Sequence, residues 1–182
     1  MQINTSLIDC AYHITAMLVE VPQLSAQNQK IVSKPFRKLI EAYDSRSFHV
    51  LQIEQYKDSI VMATRELARA NWKEALRLIC NIKFVKNLAE FEDIQRVLTQ
   101  RFKEAALVTF LSTSLENHKN FSLELLSKLF SLDEKQIIRV ISKQIVHKEI
   151  IGVKIDLKLK QVKIDEEAMK YKENDHLSLS LL

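Results

Sequence analysis

Cys10 and His13 have the types and spacing of a nucleophile pair. They stand three residues apart, so on a helix they share one face, and a thiol beside an imidazole can give a thiolate nucleophile. No third group is in place to orient the imidazole, and core packing is the plainer reading of both residues. His49, His118, His147 and His176 are scattered, and no HxxxH, HExxH or Cys/His ligand spacing occurs. Cys80 forms no CxxC motif with Cys10. Glu90, Glu92 and Asp93, and the acids of 165–167, fall at expected helix starts, where negative charge favours the macrodipole. Trp72 reads as a packing residue more readily than as a ligand platform. The expectation is a non-enzymatic chain with no catalytic residue, metal site or cofactor.

Basic residues are concentrated more than the formal net charge of +4 suggests. Residues 135–163 hold Lys135, Arg139, Lys143, Lys148, Lys154, Lys158, Lys160 and Lys163 against only Glu149 and Asp156. Lys135, Arg139, Lys143 and His147 recur every fourth residue, a slowly drifting stripe opposite Ile137, Ile141 and Ile145. Such a surface is a solvated face, a nucleic-acid contact or a protein contact. No aromatic residue interleaves with the lysines, which disfavours single-strand base stacking.

Composition bounds the elements that could carry these residues. The 182 residues include one glycine, Gly152, and two prolines, Pro22 and Pro35. Average usage would give roughly 22 such residues. Tight hairpins and bulges usually need glycine, which disfavours a β-sandwich or a many-stranded barrel and points to a mostly helical fold. Phosphate-cradling loops and the GxSxG elbow need glycines at fixed spacing and are absent. A hydrophobic content of 47% is too high for disorder. Uninterrupted apolar runs reach only about four residues, far below the roughly 20 of a membrane span. Asp9 and His13 break the first apolar region, and no Lys or Arg precedes Lys30, so no signal peptide is expected. The expected location is intracellular, in a reducing compartment.

Ile3, Leu7, Ala11, Ile14, Leu18 and Val21 predict a helix over 3–21, broadened by Ile8, Cys10 and Met17, buried on more than one side and ended by Pro22. A second helix should start after Ser33, with Pro35 in its first turn. A third spans 53–70. The next is capped by Asn71, with Glu74 as box partner. These two form a helical hairpin with almost no loop, and Trp72 followed by Ala75 resembles a tetratricopeptide-type junction. A long helix covers about 89–117. A short helix from Leu123 then precedes one capped by Asp133 with Gln136. Alternating Ile151, Val153 and Ile155, then Val162 and Ile164, predict a β-hairpin. Helices followed by a hairpin are the order of a winged helix.

A helical-repeat stack followed by a winged helix resembles the PCI domain, shared by components of the proteasome lid, the signalosome and initiation factor 3. The opening Gln2-Ile3-Asn4-Thr5, Leu7, Cys10, Tyr12, Ala16-Met17-Leu18, Glu20 and Pro22 resembles the family of c subunits of eukaryotic translation initiation factor 3. So do Ile31 with Ser33-Lys34, Trp72-Lys73 and Ile141-Ser142-Lys143. The similarity covers most of residues 2–165 and is most specific in the first 22. It implies a mostly α fold with a helical-repeat part over 1–118, a winged helix over 119–165 and a tail over 166–182 that begins a bundle helix. Chains of that family are longer, so a portion of a larger protein is expected. The resemblance also implies a cytoplasmic scaffold that contacts the a and e subunits of the factor and the small ribosomal subunit, with ribosomal RNA a possible partner. It implies neither a membrane nor a small-molecule substrate. On this sequence the basic face would be Lys135, Arg139, Lys143, Lys154, Lys158 and Lys160. Side-by-side pairing with another PCI protein would use the hairpin edge of Ile151, Val153, Ile155, Val162 and Ile164. A scaffold of the proteasome lid or signalosome, and a winged-helix nucleic-acid binder, remain the alternatives.

Overall fold

The computed structural model describes residues 5–27, 31–45, 56–114, 120–147 and 153–164. Among them are eight helices and three short strands. The expected features at Ile3, Ile151, Gly152 and the tail over 166–182 lie outside the described residues. The chain divides into two compact units, residues 1–110 and 111–182.

In the first unit, α1 (Thr5–Gln27) and α2 (Lys34–Asp44) both pack against α3 (Tyr56–Ala68), which also packs against α4 (Trp72–Cys80). A single turn, α5 (Lys83–Lys86), follows, and then the long α6 (Phe91–Ser114). The buried line of α1 is Cys10, Ile14, Met17 and Val21, joined by His13. Ile8, Tyr12 and Val19 on its other side are exposed, so α1 is covered on one side rather than the expected two.

Pro22 does not end α1 but sits buried inside it. A proline there removes one backbone hydrogen bond and costs about 3 kcal/mol. Burying Ile14, Met17 and Val21 on that face returns about 1.5–3 kcal/mol each, enough to carry the helix through. Ser33 caps α2 by accepting from the Phe36 N–H (3.4 Å), with Pro35 in the first turn as expected.

The α3–α4 junction turns at Ala70, which takes the left-handed conformation (φ 60°) that glycine normally supplies. Asn71 caps α4 through the Glu74 N–H (3.5 Å), but the reciprocal half of the expected box does not form. Glu74 turns instead to Arg77 (2.7 Å to Nε), and the Asn71 N–H donates to the Glu66 carbonyl (2.9 Å). Ala75 is fully buried where α4 meets its neighbours.

In the second unit, β1 (Asn120–Ser122) runs directly into α7 (Leu123–Phe130). Next come α8 (Glu134–Val146), β2 (Val153–Asp156) and β3 (Gln161–Ile164). The strands form an antiparallel sheet in the order β1-β3-β2. Asp133 and Gln136 make the full capping box of α8, at 2.6 and 3.1 Å. The hairpin forms with Val153 opposite Ile164 and Ile155 opposite Val162. The strand β1 is additional to the hairpin expected from sequence: Phe121 pairs with Val162 and is buried. Phe121, Leu123, Leu126, Phe130, Ile137, Ile141, Val153 and Val162 form the core of this unit.

Candidate interaction surface

Burial settles the chemistry of the Cys10 and His13 pair. Cys10 is fully buried, and burial, with Asp9 adding to it, pushes its thiol up to about 11. The thiolate is therefore scarce at neutral pH. The His13 Nδ1 lies 2.7 Å from the Asp9 carbonyl oxygen, which can only accept, so Nδ1 carries a proton. The ring is committed to its own helix rather than to the thiol. Asp9 accepts from the Tyr56 hydroxyl (2.7 Å) and lies 3.5 Å from the Lys57 Nζ. Chiefly the Tyr56 hydrogen bond holds the Asp9 carboxyl below its usual range. Burial first, and Asp9 second, push Tyr56 up to about 12. Two cations approach the Trp72 ring, with Lys103 Nζ 5.0 Å and Lys73 Nζ 5.7 Å from its centre. No group of His, Cys, Asp and Glu among the described residues could hold a metal ion. No helix among them is long and apolar enough to cross a membrane.

The basic residues lie elsewhere, in the second unit. Ile137 and Ile141 point into the core, and the fourfold spacing then leaves Lys135, Arg139, Lys143 and His147 on the exposed side of α8. None of Lys135, Arg139 and Lys143 meets a carboxylate among the described residues.

On the hairpin, the register separates two faces. Val153, Ile155, Val162 and Phe121 occupy one, while Lys154, Lys163, Asp156 and Gln161 occupy the other. Lys163 Nζ donates to Asp156 (2.8 Å), and this bond, ahead of backbone donors from the turn, lowers the Asp156 carboxyl. Lys160 Nζ donates to both oxygens of Glu134 (3.1 and 3.0 Å). Lys154 and Lys158 are exposed. Lys160 and Lys163 are thus matched by carboxylates among the described residues, which a charge tally along the chain does not reveal. Glu134 stands one residue before the basic stretch begins.

The residues expected at a pairing edge are divided by the strand order. Val162 and Ile164 lie on β3, the central strand, whose backbone is engaged on both sides. Val153 and Ile155 lie on β2, which has an outer side unpaired among the described residues. Val153 and Val162 are themselves buried. Ile151 lies outside the described residues. Sequence reasoning missed β1 and Glu134, and the cue for β1 was only Phe121 between two polar residues.

No family model matches the chain. Curated relatives do. The chain is 31% identical over 162 residues to the C subunit of eukaryotic translation initiation factor 3 from Emericella nidulans, covering 86% of this chain and 19% of that protein. It is 30% identical to the C subunit of the same factor from Aspergillus clavatus and 31% identical to that from Aspergillus terreus, each over 156 residues. Those matches cover 82% of this chain and 18% of each relative, so the chain spans about a fifth of the length of the curated relatives it matches. Over most of its length, this chain is a homologue of a region of the C subunit of eukaryotic translation initiation factor 3.

Proposed function

We propose that the chain is a non-catalytic scaffold portion of initiation factor 3, which helps assemble the factor and bring it to the small ribosomal subunit. The observation that carries this reading is the similarity to the factor's C subunit over 82–86% of the chain. In this reading residues 1–118 are the helical-repeat part of a PCI domain. The close α3–α4 pair with fully buried Ala75 supports it. Residues 119–165 are the winged helix. The succession α7, α8, β2, β3, with β1 added to the inner hairpin strand, supports that assignment.

The a and e subunits are the expected partners within the factor, in the cytoplasm. The outer side of β2, unpaired among the described residues, is the edge that would pair with another protein of the factor. Lys135, Arg139, Lys143, Lys154, Lys158 and Lys160, the last held by Glu134, are the basic face turned to the ribosome, where ribosomal RNA or an acidic protein surface would complement them.

Affinity purification of the tagged chain from its own cytosol, with mass spectrometry, tests the reading. Co-purification of initiation factor 3 and small-subunit ribosomal proteins is expected. Proteasome-lid or signalosome proteins in their place, or absence from initiation complexes, would overturn it.

A further inference from the structure

We infer that the turn between β2 and β3 is a docking tip for a protein partner that presents an apolar cleft rimmed by carboxylates. Its four residues are Leu157, Lys158, Leu159 and Lys160. Leu157 is 66% exposed and Leu159 is 59% exposed. The polar work of the turn is done at its ends. Asp156 Oδ1 accepts the N–H groups of Lys158 (3.1 Å) and Leu159 (3.0 Å). Lys160 takes the left-handed conformation (φ 49°), its ammonium is held by Glu134 (3.0 Å), and its carbonyl accepts the Leu123 N–H (2.9 Å). The tip is tied to its unit at both ends, and the two leucines are carried outward on a fixed frame.

Turn stability does not ask for these residues. Asn or Gly would suit position 160 better, and polar side chains would suit 157 and 159. Positions that oppose local preference while being firmly held are those expected to serve contact rather than stability. The chemistry selects the partner. Leucine gains nothing from phosphate, and residues 153–164 contain no aromatic to stack on a base. Two leucines bury too little to hold a bilayer, since even a single myristoyl chain binds one only marginally. A protein cleft can accept both leucines, and Lys158 between them requires negative charge at its rim.

The inference rests on the proposed place in initiation factor 3 and names the element that docks there. In the test, photoreactive p-benzoylphenylalanine replaces Leu159 of the full chain. A control carries it at Val97, an exposed position on α6. The probe is purified cognate initiation factor 3 lacking its C subunit, with and without small ribosomal subunits. Position 159, and not 97, should cross-link to one protein, at a peptide with Asp or Glu beside apolar residues. The double variant Leu157→Ser/Leu159→Ser should melt with the parent yet bind the factor about tenfold or more weakly. Cross-links to RNA, or to residues 165–182 of this same chain, would overturn the inference, as would undiminished binding by the double variant. If the unsubstituted chain does not bind the factor at all, the proposed function fails and takes this inference with it.

Discussion

The two units spend their polar groups differently. In the first, the carboxylates serve the fold: Asp9 joins α1 to α3 through Tyr56 and Lys57, and Glu20 accepts the N–H groups of Val32 (2.9 Å) and Ser33 (3.2 Å). In the second, Glu134 and Asp156 each hold one hairpin lysine, while Lys135, Arg139 and Lys143 along α8 meet no carboxylate among the described residues. A charge satisfied at home adds to stability, and one left facing solvent is available to a partner. The contrast teaches where to look for each effect. Substitutions of polar groups in the first unit should register in unfolding, and those on α8 should register in association.

The largest effect that could break this contrast is reversal of the α8 stripe. The triple variant Lys135→Glu/Arg139→Glu/Lys143→Glu should weaken binding to small ribosomal subunits by about a hundredfold at moderate salt. Its stability in urea should stay within about 0.5 kcal/mol of the parent, because the three side chains are exposed. Sedimentation with ribosomal subunits over a salt series measures the first quantity. Loss of stability without loss of binding would reverse the assignment.

Asp9→Asn is the complementary change and should cost about 1 kcal/mol, read by urea unfolding, while leaving ribosome association intact. Its pH dependence has a definite sign. The folded carboxyl titrates below its unfolded value, so its stabilisation is complete above the ordinary Asp range and is lost as pH falls through the folded value. Below about pH 4 the parent should therefore lose stability more steeply than Asp9→Asn.

The smallest effect concerns backbone strain. Ala70→Gly relieves a left-handed alanine worth about 1–2 kcal/mol but loosens the unfolded chain by about 0.5–1 kcal/mol. A net gain of a few tenths to about 1 kcal/mol in thermal unfolding is expected.

Local signals were the legible part of the fold. Ser33 with Pro35, Asn71, and Asp133 with Gln136 each marked a helix start, because a cap is read from residues a few positions apart. Alternation marked β2 and β3 as a hairpin, though not which residues pair across it. What escaped depends on residues distant in sequence. Phe121 becomes part of a strand only because Val162 lies beside it, and Pro22 stays helical only because its face is buried. At the candidate surface, the fourfold spacing fixed the α8 stripe. The pairing of Lys160 with Glu134 could not be foreseen, since it depends on where the turn folds back. Scarcity of glycine pointed to helices, yet Ala70, Ser131 and Lys160 all adopt the left-handed backbone that glycine would make easy.

The central position of β3 has a consequence for the order in which the molecule is made. During synthesis β1 leaves the ribosome first, and its partner β3 emerges only after α7, α8 and β2. Closing that long loop is an entropic cost met before the strands gain anything from pairing. Helices α7 and α8 can form as they emerge, whereas the sheet cannot exist until Gln161–Ile164 arrive. Strand β3 is the clasp of this sheet, and a nascent chain stalled before it would leave the backbone groups of β1 and β2 without their partner strand.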